Sequence, residues 1–209
     1  MSQIVSESIG FDFSSGRRDT STHPFCGGPN PDDVRWTTRY SKKNPFSSLF
    51  GSMHETGHGT YEQGRPRELD FQPAGKANGL GIHESQSRLW ENQVGRSREF
   101  CTWSLPLWKE CFPENMKDRD EYDLWMAVNS VKPGLIRVDA DEVTYNLHIM
   151  IRYEIEKLLI SGELGVDELP DFWDDMYEKY LGIRPPNYSM GVLQDIHCLL
   201  YTSDAADEG

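Results

Sequence analysis

The segment from Pro45 to Gly64 constrains the fold of this sequence more than any other. Its apolar residues recur at the spacing of an amphipathic helix, and Gly64 with Pro66 marks its end. These residues are Phe46, Leu49, Phe50, Met53, Gly57 and Tyr61. The same segment contains His54-Glu55-Thr56-Gly57-His58, in which the two histidines are four apart. Residues four apart share a helix face, so both imidazoles can reach one metal ion. The alternative is a chance pattern on a solvated helix face.

A catalytic zinc site normally has three protein ligands, so the two imidazoles need a further partner. A glycine-rich stretch leads to a second predicted helix, which begins near Ile82 and ends at about Gly95. His83 and Glu84 lie near its start, and Glu84 follows His54 by 30 residues. The spacing does not choose between them, because a set of three histidines and a set of two histidines and a glutamate are both chemically reasonable.

The remaining patterns predict a mainly α-helical fold with a small β-sheet element beside the metal helix, which is the predicted helix that carries His54 and His58. Residues 1–31 are rich in Ser, Gly and Pro and read as loop, whereas 34–40 alternates like a half-buried strand. Further helices are predicted near 105–111, 121–131, 141–161 and 166–181, the last with Asp167 as a possible N-cap. The predicted apolar face of the 141–161 helix consists of Val143, Leu147, Met150, Ile151, Ile155 and Leu158.

Charge and composition exclude several classes of partner. The chain has 34 acidic and 21 basic residues, a net charge of −13, which argues against binding to nucleic acid or to an anionic membrane. No apolar run approaches the ~18 residues of a membrane span, and the first ten residues do not resemble a signal peptide. Four scattered cysteines form no C-x-x-C pair, which argues against a thiolate zinc site and against a disulfide framework. These features favour a cytoplasmic protein.

Six ordered motifs make the chain resemble the thermostable (Taq-type) zinc metallocarboxypeptidase family. They match the patterns H-P-F, D-x-R-x-T, H-E-x-x-H, H-E-S-Q, I-R-x-x-A-D and G-x-x-Q-D-x-H. In this sequence the motifs are His23–Phe25, Asp33–Thr37, His54–His58, His83–Gln86, Ile136–Asp141 and Gly191–His197. The resemblance covers nearly the whole chain and implies a helical, zincin-like metallopeptidase core.

The resemblance also implies a site. It makes His54, His58 and Glu84 the ligands of one Zn²⁺, for which Co²⁺ is a possible substitute, and so decides against His83. Glu55 would activate a zinc-bound water by taking its proton.

Four more residues are candidates for the reaction. His23 and His197 are candidate donors of a hydrogen bond to the developing oxyanion. An exopeptidase must also bind a free C-terminal carboxylate, for which the planar fork of arginine is well suited. Arg137 is the first candidate for this contact and Arg35 the second; the alternative for each is an ordinary ion pair.

The implied function is removal of C-terminal residues from peptides, with a homodimer as a possible assembly. Family members extend beyond both ends of this sequence. We therefore expect residues 1–197 to be part of a single catalytic domain and 198–209 to be an unstructured tail that does not match the family. Two alternatives stay open: an endopeptidase with the same zinc chemistry, and a catalytically inactive zinc-binding fragment.

Overall fold

A computed structural model describes residues 1–41 and 43–195 and divides the chain into two compact units, with the division between Val128 and Asn129. The helices of the first unit are α1 (Ser2–Ile9), α2 (Pro45–Gln63), α3 (Gly79–Arg88), α4 (Arg98–Cys111), α5 (Pro113–Met116) and α6 (Glu121–Val128). The second unit contains α7 (Glu142–Ser161) and α8 (Leu169–Leu181). The fold is therefore mainly α, as the sequence predicts. That residues 1–197 belong to a single catalytic domain stays a prediction, and the predicted tail, 198–209, lies outside the described residues.

The small sheet has three strands in the order β1-β3-β2, namely β1 (Gly16–Thr20), β2 (Cys26–Asn30) and β3 (Asp33–Thr38). β3 confirms the predicted strand; it pairs parallel with β1 and antiparallel with β2. The prediction that residues 1–31 form a loop is wrong, since they contain α1, β1 and β2. Neither outer strand has alternating apolar residues of its own, and both are held by hydrogen bonds to β3, whose Val34 and Trp36 are buried.

The long helix α2 forms as its sequence predicts. The side chain of Asn44 caps it by accepting a hydrogen bond from the Ser47 amide, and Pro45 occupies the first turn, where its missing N–H costs nothing. The buried residues Leu49, Phe50 and Met53 on one face of α2 pack into a core with α1, α4 and α6. This burial fixes the rotation of the helix, and hence the direction in which its histidines project.

Two buried hydroxyl contacts also attach α2 to its neighbours. Ser52 Oγ donates to Thr38 Oγ1 of β3 at 3.1 Å, and the hydroxyls of Thr56 and Ser6 of α1 are 2.8 Å apart. Buried polar groups are costly unless they are paired, so these contacts favour one register of α2 against the sheet and against α1. The metal motif is therefore carried by a helix that is fixed on two sides.

Helix α3 begins at Gly79, slightly earlier than predicted, and runs on into a π-helical turn, Leu89–Val94. α2 and α3 pack against each other, as does the π-helical turn against α2. The second predicted helix is therefore confirmed, with a wider last turn that sequence periodicity does not reveal. π-Helical turns occur frequently at functional sites.

In the second unit, α7 starts and stops where predicted, but its buried face differs. Asp141 caps it by accepting hydrogen bonds from two backbone amides, and Gly162 ends it in the left-handed conformation. Its buried residues are Thr144, His148, Ile151 and Ile155. The predicted face is therefore partly wrong, because Val143 and Met150 are exposed whereas two polar residues are buried with partners.

The polar partners explain this shift of the buried face. Thr144 Oγ1 donates to Asp141 Oδ2 at 2.9 Å, and His148 Nδ1 lies 3.2 Å from the hydroxyl of Tyr177. The predicted cap of α8 is also wrong: the helix begins after Glu168, one residue beyond Asp167, without a side-chain capping bond. No helix among the described residues is long and apolar enough to span a membrane.

Candidate metal centre

Three side chains from α2 and α3 converge in the first unit. Nε2 of His58 is 3.2 Å from Oε2 of Glu84, and Nε2 of His54 is 3.6 Å from the same oxygen. One ligand atom from each of the three residues lies within 4.8 Å of the others. Two imidazole nitrogens and a carboxylate oxygen are a ligand set typical of catalytic zinc. The donors therefore fit one divalent metal ion, as the sequence predicts.

Gly57 is what allows the two ligand-bearing helices to approach. A Cβ atom at this position would lie 2.6 Å from the carbonyl oxygen of Gln86 and from Cα of Ser87, both in the backbone of α3. Glycine within a helix costs about 1 kcal/mol relative to alanine, and the sequence offers no local reason for it. The close approach supplies the reason, because it sets the helix separation at which Glu84 reaches the histidines.

Gly57→Ala should therefore disturb both stability and metal binding. The added methyl group meets backbone, which cannot rotate away, and overpacking of this kind typically costs about 1–3 kcal/mol. We expect a lower free energy of unfolding in urea and weaker zinc binding. Gly51→Ala is the matched control on the same helix, since a Cβ there has no neighbour within 4 Å. Equal effects of the two substitutions would contradict the proposed role of Gly57.

The first imidazole has a carboxylate behind it. Nδ1 of His54 is 2.9 Å from Oε2 of Glu91, a residue of the π-helical turn. Arg88 Nη1 donates to the same oxygen at 3.1 Å. Because a carboxylate oxygen only accepts, Nδ1 of His54 is the donor in this contact, which leaves Nε2 as the nitrogen on the side of Glu84.

His83, the competing ligand in the sequence, lies behind the second imidazole. Its Nδ1 is 2.5 Å from Nδ1 of His58, and its Nε2 donates to Glu62 Oε1 at 2.7 Å. Glu62 in turn forms an ion pair with Arg65 at 2.9 Å. Both ring nitrogens of His83 are thus engaged on the far side of His58, whereas Glu84 faces Nε2 of both motif histidines.

The electrostatics of the cluster suit a cation. Burial opposes a charge on His54, but the hydrogen bond and charge of Glu91 outweigh it and raise the pKa of His54 to about 9. Burial also opposes ionisation of Glu84, but the hydrogen bond from His58 and the nearby charge of His54 lower its pKa to about 2. Burial lowers the pKa of His58. A metal ion takes the place of a proton on an imidazole ligand and benefits from the same carboxylates.

Glu55, the candidate catalytic carboxylate, follows His54 directly on α2 and is only 6% exposed. Its charge contributes to raising the pKa of His54. A buried carboxylate next to candidate metal ligands is a candidate for a functional role.

The other predicted site residues are distributed along the chain. His23 is exposed in the bend before β2. Arg35 is exposed on β3 and makes two hydrogen bonds to Asp33, of 2.8 and 2.7 Å. Arg137 is half-buried in a short 3₁₀ turn of the second unit, where Nη1 donates to the Tyr145 hydroxyl at 3.2 Å. His197 lies outside the described residues. The roles of these four residues stay predictions.

Two acidic residues behind the histidines, Glu62 and Glu91, are missed by sequence reasoning. The spacing of Glu62 offered a signal, because it follows His58 by four residues and so shares its helix face. Glu91 offered none, since it depends on the packing of the π-helical turn against α2. From the sequence, His83 is either the third metal ligand or has no role in the site. Its contact with Nδ1 of His58 is not predicted.

The site combines two imidazoles one helical turn apart, a carboxylate beside them and a third candidate ligand from the next helix. This combination is typical of an H-E-x-x-H metallopeptidase. The chain belongs to the carboxypeptidase Taq (M32) metallopeptidase family, whose sequence model matches residues 1–200. This confirms the resemblance inferred from the six motifs.

Similar proteins and solved structures are also carboxypeptidases by name. Thermostable carboxypeptidase 1 of Thermus thermophilus is 48% identical over 188 residues, 90% of this chain and 37% of that protein. Carboxypeptidase 1 of Bacillus subtilis is 44% identical over 191 residues, 91% of this chain and 38% of that protein. The crystal structure of M32 carboxypeptidase from Deinococcus radiodurans R1 matches with a TM-score of 0.91 at 44% identity, covering 94% of this chain and 39% of that one. The chain thus spans less than two fifths of the length of these relatives.

Proposed function

We propose that this chain carries the metal-binding part of a zinc-dependent metallocarboxypeptidase, which hydrolyses the C-terminal peptide bond of peptides. The observation that carries the proposal is the convergence of His54, His58 and Glu84, with the buried Glu55 on the same helix, in a member of this family. Because the chain spans less than two fifths of the length of these relatives, the activity is proposed for the catalytic domain to which it contributes.

Zinc is the metal that we propose, with Co²⁺ as a substitute. Two imidazoles and one carboxylate leave a fourth position open, which is the arrangement of catalytic rather than structural zinc. When bound, the ion lowers the pKa of water toward ~7 and polarises the scissile carbonyl group.

The protein's own groups would handle the proton. Glu55 would take it from the attacking water and return it to the leaving amine, a role that a buried carboxylate beside the ligands can perform. His23 and His197 are proposed donors of a hydrogen bond to the developing oxyanion. Support for these two histidines comes from their matching family motifs, H-P-F and G-x-x-Q-D-x-H.

Recognition of the free C-terminus is proposed for Arg137 first and Arg35 second. Arg137 is half-buried and donates to the Tyr145 hydroxyl, a neutral partner that does not compensate its charge. Arg35 already pairs with Asp33, and a substrate would have to compete with that carboxylate. This difference supports the order in which the two arginines are proposed.

The test compares peptides that differ only at the C-terminus. Amino acids released from a free-acid peptide and from its C-terminal amide should be measured together with the zinc content of the chain. We expect release from the free acid only, and Arg137→Ala should selectively reduce it. Equal cleavage of the amide would support the endopeptidase instead, and stoichiometric zinc without any release would support an inactive zinc-binding fragment.

Assembly and location are also proposals. A homodimer rests on the resemblance to the family alone. A cytoplasmic location is supported by the free thiols of Cys101 and Cys111, since disulfides are typical of oxidising compartments.

A further inference from the structure

We propose that Glu91 and Glu62 are positioning residues of the metal centre: each orients one ligand imidazole, Glu91 directly and Glu62 through His83. The inference deepens the proposed function and rests on its assignment of His54 and His58 as ligands. It concerns residues outside the ligand set, on the opposite side of the two imidazole rings from Glu84.

The direct contact is the one between Glu91 and His54. The hydrogen bond from Nδ1–H to Oε2, at 2.9 Å, restrains rotation of the ring about its χ2 angle and fixes the proton on Nδ1. Nε2 then presents its lone pair toward Glu84, the third ligand. A carboxylate on the far nitrogen of a ligand histidine also increases the basicity of the ring, which strengthens its bond to a metal.

The indirect contact involves two hydrogen bonds in series. Glu62 accepts from Nε2–H of His83 at 2.7 Å, which leaves Nδ1 as the ring nitrogen of His83 that can accept a hydrogen bond. That nitrogen faces Nδ1 of His58 at 2.5 Å and accepts a hydrogen bond from its N–H. Nε2 of His58 is thereby left without a proton on the side of Glu84. Glu62, two hydrogen bonds away from His58, therefore orients the proton of that imidazole as Glu91 orients the proton of His54.

Both carboxylates are themselves held in place. Arg88 donates to Glu91 at 3.1 Å, and Arg65 pairs with Glu62 at 2.9 Å and with Asp70 at 3.3 Å. The side chains of Glu91 and Glu62 are 17% and 18% exposed, so solvent competes only weakly for these contacts. Two carboxylates restrained by arginines, each at the end of a hydrogen-bonded path to one ligand, form a support that random surface charges would not provide.

Metal affinity distinguishes this role most directly. The dissociation constant for Zn²⁺ should be measured by competition with a chromophoric chelator for the unmodified chain, Glu91→Gln and Glu62→Gln. Glu→Gln keeps the size of the side chain and removes its charge and its obligatory acceptor character. Loss of an outer partner, meaning a group that hydrogen-bonds to a metal ligand, typically weakens metal binding by about 10- to 100-fold. We expect a loss of this size for Glu91→Gln and a loss of about tenfold for Glu62→Gln, which acts through His83.

Glu68→Gln is the matched control, because Glu68 is an exposed carboxylate in a separate 3₁₀ turn, Arg67–Leu69. It removes the same charge and should leave the dissociation constant unchanged. Thermal unfolding in the presence of a chelator reports stability without metal, and a positioning role predicts that Glu62→Gln and Glu91→Gln keep their helix content there. NMR of ¹⁵N-histidine in the zinc-loaded chain should show Nδ1–H on both ligands.

Three results would overturn the inference: Zn²⁺ affinity unchanged in both variants, affinity lost only in proportion to lost helix content, or protons on Nε2 of the ligand histidines. Failure of the proposed function looks different, because the unmodified chain would then bind Zn²⁺ no more tightly than His54→Ala does. Retained zinc affinity without peptide hydrolysis would support the inactive zinc-binding fragment and leave the positioning role intact.

Discussion

Glu55→Gln should abolish most peptide hydrolysis while the zinc content of the chain stays the same. The substitution keeps the shape of a residue that is only 6% exposed, so it creates no cavity. It removes the carboxylate that would accept and return the proton. General acid–base catalysis typically contributes about 10²- to 10⁴-fold, and we expect a fall in kcat of that size.

The measurement is metal content together with the rate of amino acid release, for Glu55→Gln and for the surface control Glu68→Gln. The control should retain both zinc and whatever activity the unmodified chain has. Loss of zinc along with activity would assign Glu55 a part in holding the metal. Undiminished hydrolysis would exclude it as the catalytic carboxylate.

Glu84→Ala should weaken Zn²⁺ binding by more than the roughly 10- to 100-fold that loss of an outer partner costs. The substitution removes one of three candidate ligands, whose Oε2 lies 3.2 and 3.6 Å from the two imidazole Nε2 atoms. Two imidazoles alone leave a catalytic zinc site one protein ligand short.

His83→Ala is the informative comparison, since it tests the ligand choice that the spacing left open. His83 contacts His58 through Nδ1, so its loss should cost orientation but not a ligand, and the affinity should fall less than in Glu84→Ala. The reverse order of affinities would identify a site of three histidines. Both dissociation constants can be measured by the same chelator competition.

The sequence predicted the parts of the fold whose patterns are local. α2 combines helical apolar spacing, a capping asparagine and a closing glycine, and it forms within two residues of its predicted end. β3 alternates buried and exposed residues over Val34 to Trp36. In both elements, local preference and burial agree, so single-sequence reasoning suffices.

The elements that were missed depend on contacts with distant residues. β1 and β2 carry Arg, Gly and Pro where a strand pattern would need apolar side chains, and they extend because β3 offers hydrogen bonds on both edges. The buried face of α7 includes His148, which becomes acceptable there through the hydroxyl of Tyr177. Pairing between elements of this kind leaves no trace in apolar periodicity.

The candidate metal centre was predicted better than its surroundings. Two histidines four apart on one helix specify a shared face, so His54 and His58 follow from spacing alone. The choice of Glu84 over His83 came from the family motif, because neighbouring helix positions differ by about 100° in direction and only tertiary packing shows which one faces α2. Glu91 depends on packing in the same way.

Because Glu84 follows His54 by only 30 residues, an ion held by both would close a short loop of the chain. Polymer theory for a covalent cross-link that closes a loop of this length gives about 3–4 kcal/mol of destabilisation of the unfolded chain. A reversible metal–ligand bond would destabilise the unfolded chain by no more than this. Unfolding of the first unit would then depend on the concentration of free metal, and its melting temperature would rise with added Zn²⁺. The candidate metal centre would then also stabilise α2 and α3, the two helices that carry its ligands, against unfolding.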